Sequence, residues 1–149
     1  LERKRAESMQ IRVYYEDTDC GGVVYYANYL RYFERARTEY LRDRGIEVAA
    51  FADAGILFVV SHVEISYRSP ARYNDLLKME TRISGHTRTR LTFAHTLREQ
   101  EVSRVVVEGE VTLACIDAQG KPRRLPEEIL HLAEKERPPT AGGSIKSGR

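Results

Sequence analysis

From Ile11 onward apolar and polar positions alternate, with Ile11, Val13 and Tyr15 on one side and Arg12, Tyr14 and Glu16 on the other. A period of two predicts a half-buried strand. The strand runs into Glu16-Asp17-Thr18-Asp19-Cys20-Gly21-Gly22, where two glycines free the backbone to turn. The period then changes. Tyr29, Leu30, Phe33, Ala36, Arg37, Tyr40 and Leu41 recur at three- and four-residue spacing. That pattern predicts a helix over 28–44, with Asn28 as its N-cap and Gly45 closing it in the left-handed conformation. Arg37 interrupts the apolar stripe, so core is not expected to wrap this helix along its whole length. A shorter helix is expected over 47–53.

Period two returns at Leu57. Val59, Val63, Ile65 and Tyr67 share one face until Ser69-Pro70 ends the run. Leu77, Met79 and Ile83 alternate with Lys78, Glu80 and Arg82, and Leu91, Phe93, His95 and Leu97 with Thr92, Ala94 and Thr96. In the last strand Val105, Val107, Val111, Leu113 and Cys115 point inward, and Glu108, Glu110 and Thr112 outward. Turn chemistry at 117–120 closes it, and Pro126-Glu127-Glu128 opens a short final helix. The order of strand, long helix and four further strands predicts an α+β fold, an antiparallel sheet wrapped around one helix. Only the helix over 28–44 is large enough to cover the apolar face of such a sheet. An outer face or an edge stays free, which predicts self-association.

Composition narrows the class. The 149 residues fit one domain, read as a body over 9–136 between two tails. The tail over 1–8 lacks apolar residues and that over 137–149 is rich in Pro, Gly and Ser, so neither buries enough surface to offset its ordering. The near balance of 24 basic against 22 acidic residues argues against a nucleic-acid partner. No apolar run approaches the ~20 residues needed to span a bilayer, and residues 1–8 lack a signal-peptide pattern. The expectation is a cytoplasmic protein with no stable membrane insertion. Cys20 and Cys115 form no CxxC pair and the histidines no HxxxH or HExxH, so no metal is expected. His95, on an apolar face, reads as a satisfied core histidine, and Cys115 as a buried apolar side chain.

The corner between strand and helix holds three carboxylates, Glu16, Asp17 and Asp19. In an extended backbone Asp17 and Asp19 share a side, where like charges would push one pKa towards the range of a general base. The helix start beyond Gly22 offers free N–H groups for a developing oxyanion. On spacing alone the plainer reading comes first, in which Asp17 or Asp19 caps the turn by accepting backbone N–H groups.

The run 13–29, Val-Tyr-Tyr-Glu-Asp-Thr-Asp-Cys-Gly-Gly-Val-Val-Tyr-Tyr-Ala-Asn-Tyr, followed by Tyr-Phe-Glu-Arg-Ala-Arg over 32–37, resembles the YbgC-type acyl-CoA thioesterases. These belong to the 4-hydroxybenzoyl-CoA thioesterase group of the hotdog fold. The similarity continues through Phe-Val-Val at 58–60, Tyr-Arg-Ser-Pro-Ala-Arg at 67–72 and Asp-Leu-Leu at 75–77. It implies hydrolysis of an acyl-CoA to a free acid and coenzyme A, with no further cofactor. Asp19 matches the catalytic carboxylate, as nucleophile or as general base. Tyr26 matches the position whose backbone N–H polarises the thioester carbonyl. Many relatives carry His there, and a phenol with a pKa of about 10 does no imidazole chemistry near neutral pH, so the implied role is that of the backbone. Tyr15 matches a position that assists near the carboxylate, and Gly22, Val24 and Tyr25 match substrate-binding positions. Arg88 and Arg90 sit where relatives meet the phosphates of coenzyme A, often from a neighbouring subunit; a solvated hairpin rim is the plain alternative. Arg68 and Arg72 are similar candidates. A homodimer or homotetramer is implied, with an acyl-carrier protein as a possible partner. Two other classes stay open: a binding module without turnover, and a hotdog 3-hydroxyacyl dehydratase, which would want a His beside Asp19.

Overall fold

The computed structural model describes residues 8–136. The two expected tails lie outside these residues, apart from Ser8, which opens the first strand opposite Glu80. In chain order the elements are β1 (Ser8–Arg12), a 3₁₀ turn (Tyr15–Asp17), α1 (Asn28–Asp43), α2 (Val48–Asp53), β2 (Leu57–Tyr67), β3 (Leu76–His86), β4 (Arg90–Glu99), β5 (Arg104–Ile116) and α3 (Glu127–Glu136). The strands form one sheet in the order β1-β3-β4-β5-β2, with every neighbouring pair antiparallel. Short turns join β3, β4 and β5, while β1 and β2 join at the two edges. α1 lies against the sheet's apolar face, which is the expected α+β arrangement.

α1 ends as its sequence requires. Gly45 takes φ 83°, a left-handed conformation that costs glycine little. The Gly45 N–H then donates to the Arg42 carbonyl and the Ile46 N–H to the Leu41 carbonyl, both at 2.9 Å. This Schellman closure also packs Ile46 into the same cluster as Leu41. The start of the helix differs from expectation. Ala27 holds the N-cap position without a side-chain cap, and the Asn28 amide instead donates to the Asp17 carbonyl at 2.9 Å.

The buried arc of α1 differs from its stripe by one exchange, and the interrupting arginine lies inside it. Tyr32 and Arg37 are buried, whereas Leu30 is exposed. The sheet covers one side of the helix and residues 13–24 cover another, so Tyr32 faces protein where a helix on a single sheet would face water. Two clusters divide the core along the helix. The first half of α1, through Tyr29, Tyr32 and Phe33, packs with Val13, Val24 and Leu97. The second half, through Tyr40 and Leu41, packs with Phe93, Cys115 and Ile129 of α3. α3 is clamped there: Arg44 Nε donates to Glu136 at 2.8 and 2.9 Å, and its guanidinium lies 3.7 Å from the Tyr40 ring centroid.

Phe33 fixes where helix and sheet meet. A Cβ built on Gly109 would lie 2.8 Å from Phe33 Cε2 and 3.0 Å from the Glu64 carbonyl oxygen. Only glycine leaves room at this crossing. His95, the cross-strand partner of Gly109, stacks on Phe33 with ring centroids 4.4 Å apart.

Strict alternation fails at three places within the expected strands, and a further register shift, between Ile83 and Gly85, falls beyond the last inward residue expected in β3. The first strand ends at Arg12, and Tyr15 sits in the 3₁₀ turn, 77% exposed, instead of following Ile11 and Val13 inward. In β2 the register shifts between Val60 and His62. Phe58 and Val60 therefore pair with Cys115 and Leu113 on the inner side, and Val59 turns outward with Ala114. In β5 the register shifts opposite Leu97 and Arg98, so Val106 is buried where Val105 was expected. One inserted residue reverses the parity of what lies beyond it.

Two outcomes follow from the crossing. Gly109→Ala drives a methyl into Phe33 and should lower unfolding stability by about 1–3 kcal/mol in denaturant titration; unchanged stability would mean that the helix shifts freely. His95 is 2% exposed. Burial, helped by the nearby Arg37 charge, pushes its pKa from 6.5 down to about 3. The unfolded chain therefore takes up a proton below about pH 6.5 that the folded chain refuses. Its contribution to stability is complete above that pH and is lost as pH falls towards 3. Between pH 6.5 and 5 the wild type should lose about 2 kcal/mol from this group, and His95→Gln should remove that part of the slope. Equal slopes would contradict the assignment.

Candidate active site

Between β1 and α1 the chain folds into a small hairpin whose turn contains Gly21 and Gly22. Thr18 bridges Val24, the Asp19 N–H donates to the Val23 carbonyl at 2.9 Å, and the Tyr25 N–H donates to the Asp17 carbonyl at 2.9 Å. Gly22 takes φ 84° at the turn. The outer arm is tied down by the 68–75 connection. Val23 bridges Arg72, the Val24 N–H donates to the Ala71 carbonyl at 2.8 Å, and the Ala71 N–H donates to the Tyr29 hydroxyl at 3.3 Å.

The two aspartates do different work. Asp17 holds the hairpin together: its carboxylate accepts the Tyr14 N–H at 2.9 Å, and its carbonyl accepts both Tyr25 N–H and the Asn28 amide. The buried Tyr32 hydroxyl makes no hydrogen bond of good geometry, yet lies close enough to feel Asp17. Burial first, and then Asp17, pushes this phenol well above its ordinary range. Asp19 is exposed. Its Oδ1 accepts the Gly21 N–H at 2.8 Å, and Oδ2 has no partner among the described residues. The extended backbone that would pair Asp17 with Asp19 is absent, because the 3₁₀ turn rotates Asp17 into the hairpin's own hydrogen bonds. Of the two readings left open, capping describes both aspartates, each accepting a backbone N–H, and Asp19 alone combines this with an exposed, unpartnered second oxygen.

The start of α1 faces this hairpin. The N–H groups of Asn28, Tyr29 and Leu30 are taken by the carbonyls of Tyr25, Tyr26 and Ala27. Those of Tyr26 and Ala27 have no acceptor among the described residues, so the free donors stand where the sequence placed Tyr26. Around them lies an aromatic rim. Tyr25 and Tyr26 are 5.0 Å apart by ring centroid, and Tyr26 meets Tyr67 edge-on at 6.2 Å.

The other expected residues scatter. Tyr15 stands outside the hairpin, edge-on to Tyr73 at 5.9 Å. Val24 is in the core, 4% exposed, so it positions the hairpin and offers no surface for a ligand. Tyr25 is exposed and Gly22 lies at the exposed turn. Arg68 is paired with Glu108 at 3.0 Å. Arg90 opens β4, and the Arg88 carbonyl accepts the Leu125 N–H at 2.8 Å. Leu91, Cys115 and Leu125 beside them belong to the cluster at the far end of α1. A helix of 16 residues is about 24 Å long. Within one chain, then, Arg88 and Arg90 and Asp19 lie at opposite ends of the fold. Nor does a histidine adjoin Asp19: His62 faces Glu64, His131 faces Glu127, His95 is in the core, and His86 ends β3.

Sequence reasoning missed Asn28 as a side-chain tie and Arg37 as a buried charge. The second had a signal, an arginine at a position of the apolar stripe.

A sheet wrapped on one helix, with a carboxylate hairpin at the helix start, is the architecture of the hotdog thioesterases. Residues 13–132 match the model of the Thioesterase-like superfamily, and the chain belongs to that family. A probable thioesterase from Bartonella henselae superposes with a TM-score of 0.74 at 42% identity, covering 80% of this chain and 98% of the other. Within the superfamily the chain falls among the YbgC thioesterases. It is 41% identical over 121 residues to the acyl-CoA thioester hydrolase YbgC of Escherichia coli O6:H1, covering 80% of this chain and 90% of that protein. It is 40% identical over 124 residues to the acyl-CoA thioesterase YbgC of Haemophilus influenzae, covering 82% and 90%.

Proposed function

We propose that this chain hydrolyses acyl-CoA thioesters, with Asp19 and the backbone N–H of Tyr26 as its working groups. The observation that carries the reading is local. An exposed carboxylate with one oxygen held and one unpartnered shares a hairpin with the unoccupied N–H donors at the start of α1. The thioester carbonyl oxygen accepts from the Tyr26 N–H, where the helix dipole favours the negative charge that develops on it. Asp19 then attacks the carbonyl carbon, or takes a proton from the water that does. Either route makes a tetrahedral intermediate, which expels the coenzyme A thiolate and yields the free acid after water has added. Asp17, Asn28 and Tyr32 keep the hairpin and the helix start in register.

Arg88 and Arg90 enter this site from a second copy. β2 is an edge strand of 11 residues, and its Leu57, Val59, Val60 and Tyr67 are exposed. Such an edge invites pairing with another strand. Antiparallel pairing of two β2 strands about a two-fold axis sets the Leu57 end of one copy beside the Tyr67 end of the other. The far end of one copy's α1, with Arg88 and Arg90, then comes alongside the other's Asp19 hairpin. Two guanidinium groups suit the phosphates of coenzyme A. An acyl-carrier protein would bring a phosphate of its own to the same place. A homodimer is the smallest assembly with complete sites, and a homotetramer would be two such dimers.

Asp19→Asn keeps the acceptor for the Gly21 N–H and removes the charge. Thiol release from a panel of short, long and aromatic acyl-CoAs should fall by ~10²–10⁴-fold, with the circular dichroism spectrum and melting temperature unchanged. Full turnover by the folded variant would overturn the assignment. Binding of coenzyme A by a wild type that releases no thiol from any ester would favour a binding module.

A further inference from the structure

We infer that the pocket along α1 accepts acyl groups that end in an oxygen acceptor, and that Arg37 recognises that oxygen. The inference rests on the thioesterase reading and adds a substrate class to it. A cavity of about 470 Å³ runs between α1 and the β2 side of the sheet, a size within the ordinary range for small-molecule sites. Leu30, in the first turn of α1, borders one end of it, so the cavity extends towards the helix start. Val60, Val63 and Leu113 form much of its opposite wall. These surfaces suit a hydrocarbon.

The α1 wall breaks that pattern with Arg31, Glu34, Arg37 and Thr38, and of these Arg37 alone is buried. It lines the cavity while only 8% exposed, and its guanidinium has no hydrogen-bond partner among the described residues. Burial lowers its pKa from the usual arginine value, and the opposing influence of Glu34 is the only other cause. Glu34 itself is exposed. Arg44, another arginine with a buried side chain, shows what the fold does when it satisfies such a group. Arg44 is 3% exposed at its side chain and holds Glu136 at 2.8 Å, the Tyr40 carbonyl at 3.1 Å and the face of the Tyr40 ring. Donors that open onto the cavity are filled by water there, or by a ligand group that displaces that water. An oxygen at the far end of a bound acyl group does so. Arg37 is nine residues beyond Asn28, about 13.5 Å along the helix axis. An acyl group whose carbonyl rests at the helix start thus carries its far end to this charge.

The test compares three coenzyme A thioesters of equal chain length, ending in methyl, hydroxyl and carboxylate, with the full-length wild type, Arg37→Met and Arg37→Lys. The wild type should favour an oxygen-ended ester over the methyl-ended one by roughly 10²-fold in kcat/KM. Arg37→Met should bring that ratio close to one, and Arg37→Lys should retain part of it. The melting temperature of Arg37→Met should not fall, because a buried charge is replaced by an apolar chain of similar length. Preference for the carboxylate alone would assign a charge pair, and preference for the hydroxyl as well a hydrogen bond; both support the inference. A ratio unaffected by Arg37→Met overturns it, as does a wild type that prefers the methyl-ended ester. A folded wild type that hydrolyses none of the three overturns the thioesterase reading instead, a separate result.

Discussion

Phe33 lies so close to the backbone of Gly109 that no side chain fits between them, and this contact sets where α1 crosses the sheet. His95 stacks on the same ring from β4, holding it from the neighbouring strand. Close packing makes such a crossing a fixed point, since neither partner moves without opening a gap or a clash. The start of α1 then has one position relative to the 68–75 connection, and the hairpin bearing Asp19 is tied to both. The placement of Asp19 at the surface thus begins with a glycine in the middle of a strand.

The same geometry turns α1 into a ruler. The hairpin and the free N–H groups are at one end, while Arg88, Arg90 and α3 lie at the other, and the cavity with Arg37 runs between. We propose a site that uses this length twice, once along the chain's own helix for the acyl group and once along a partner's for coenzyme A. Neither use needs a metal or a histidine beside Asp19. The proposed chemistry rests on charge and backbone donors, which suits a thioester, whose leaving thiolate needs little help from an acid.

Much of this was legible in the residues because their signals are local. The stripe from Tyr29 to Leu41 marked α1, Gly45 marked its end, and alternation marked four strands and the last two residues of β1. The motif over 13–29 identified the family and pointed to Asp19 and Tyr26. What escaped depends on contacts distant in sequence or on a single inserted residue. The bulge near Ser61 reversed Val59 and Val60, and that near Val106 reversed its neighbours, since alternation counts residues and cannot see an insertion. Parity places Tyr15 in the strand, but the Asp17 carboxylate accepts the Tyr14 N–H and makes a tighter turn there. Asn28 has the composition of a cap, yet its amide found the Asp17 carbonyl, a partner that exists only once the hairpin has formed. Arg37 was legible as an interruption of the stripe, though its burial against a cavity was not.

The claim that two copies share each site is tested most directly by mixing two inactive variants. Chains carrying Asp19→Asn and chains carrying Arg88→Ala with Arg90→Ala are unfolded together, refolded, and assayed for thiol release at limiting acyl-CoA. Shared sites predict that random dimers regain about a quarter of wild-type activity, since half are mixed and each mixed dimer has one intact site of two. Activity that stays at the mean of the two parents would contradict the account and confine each site to a single chain.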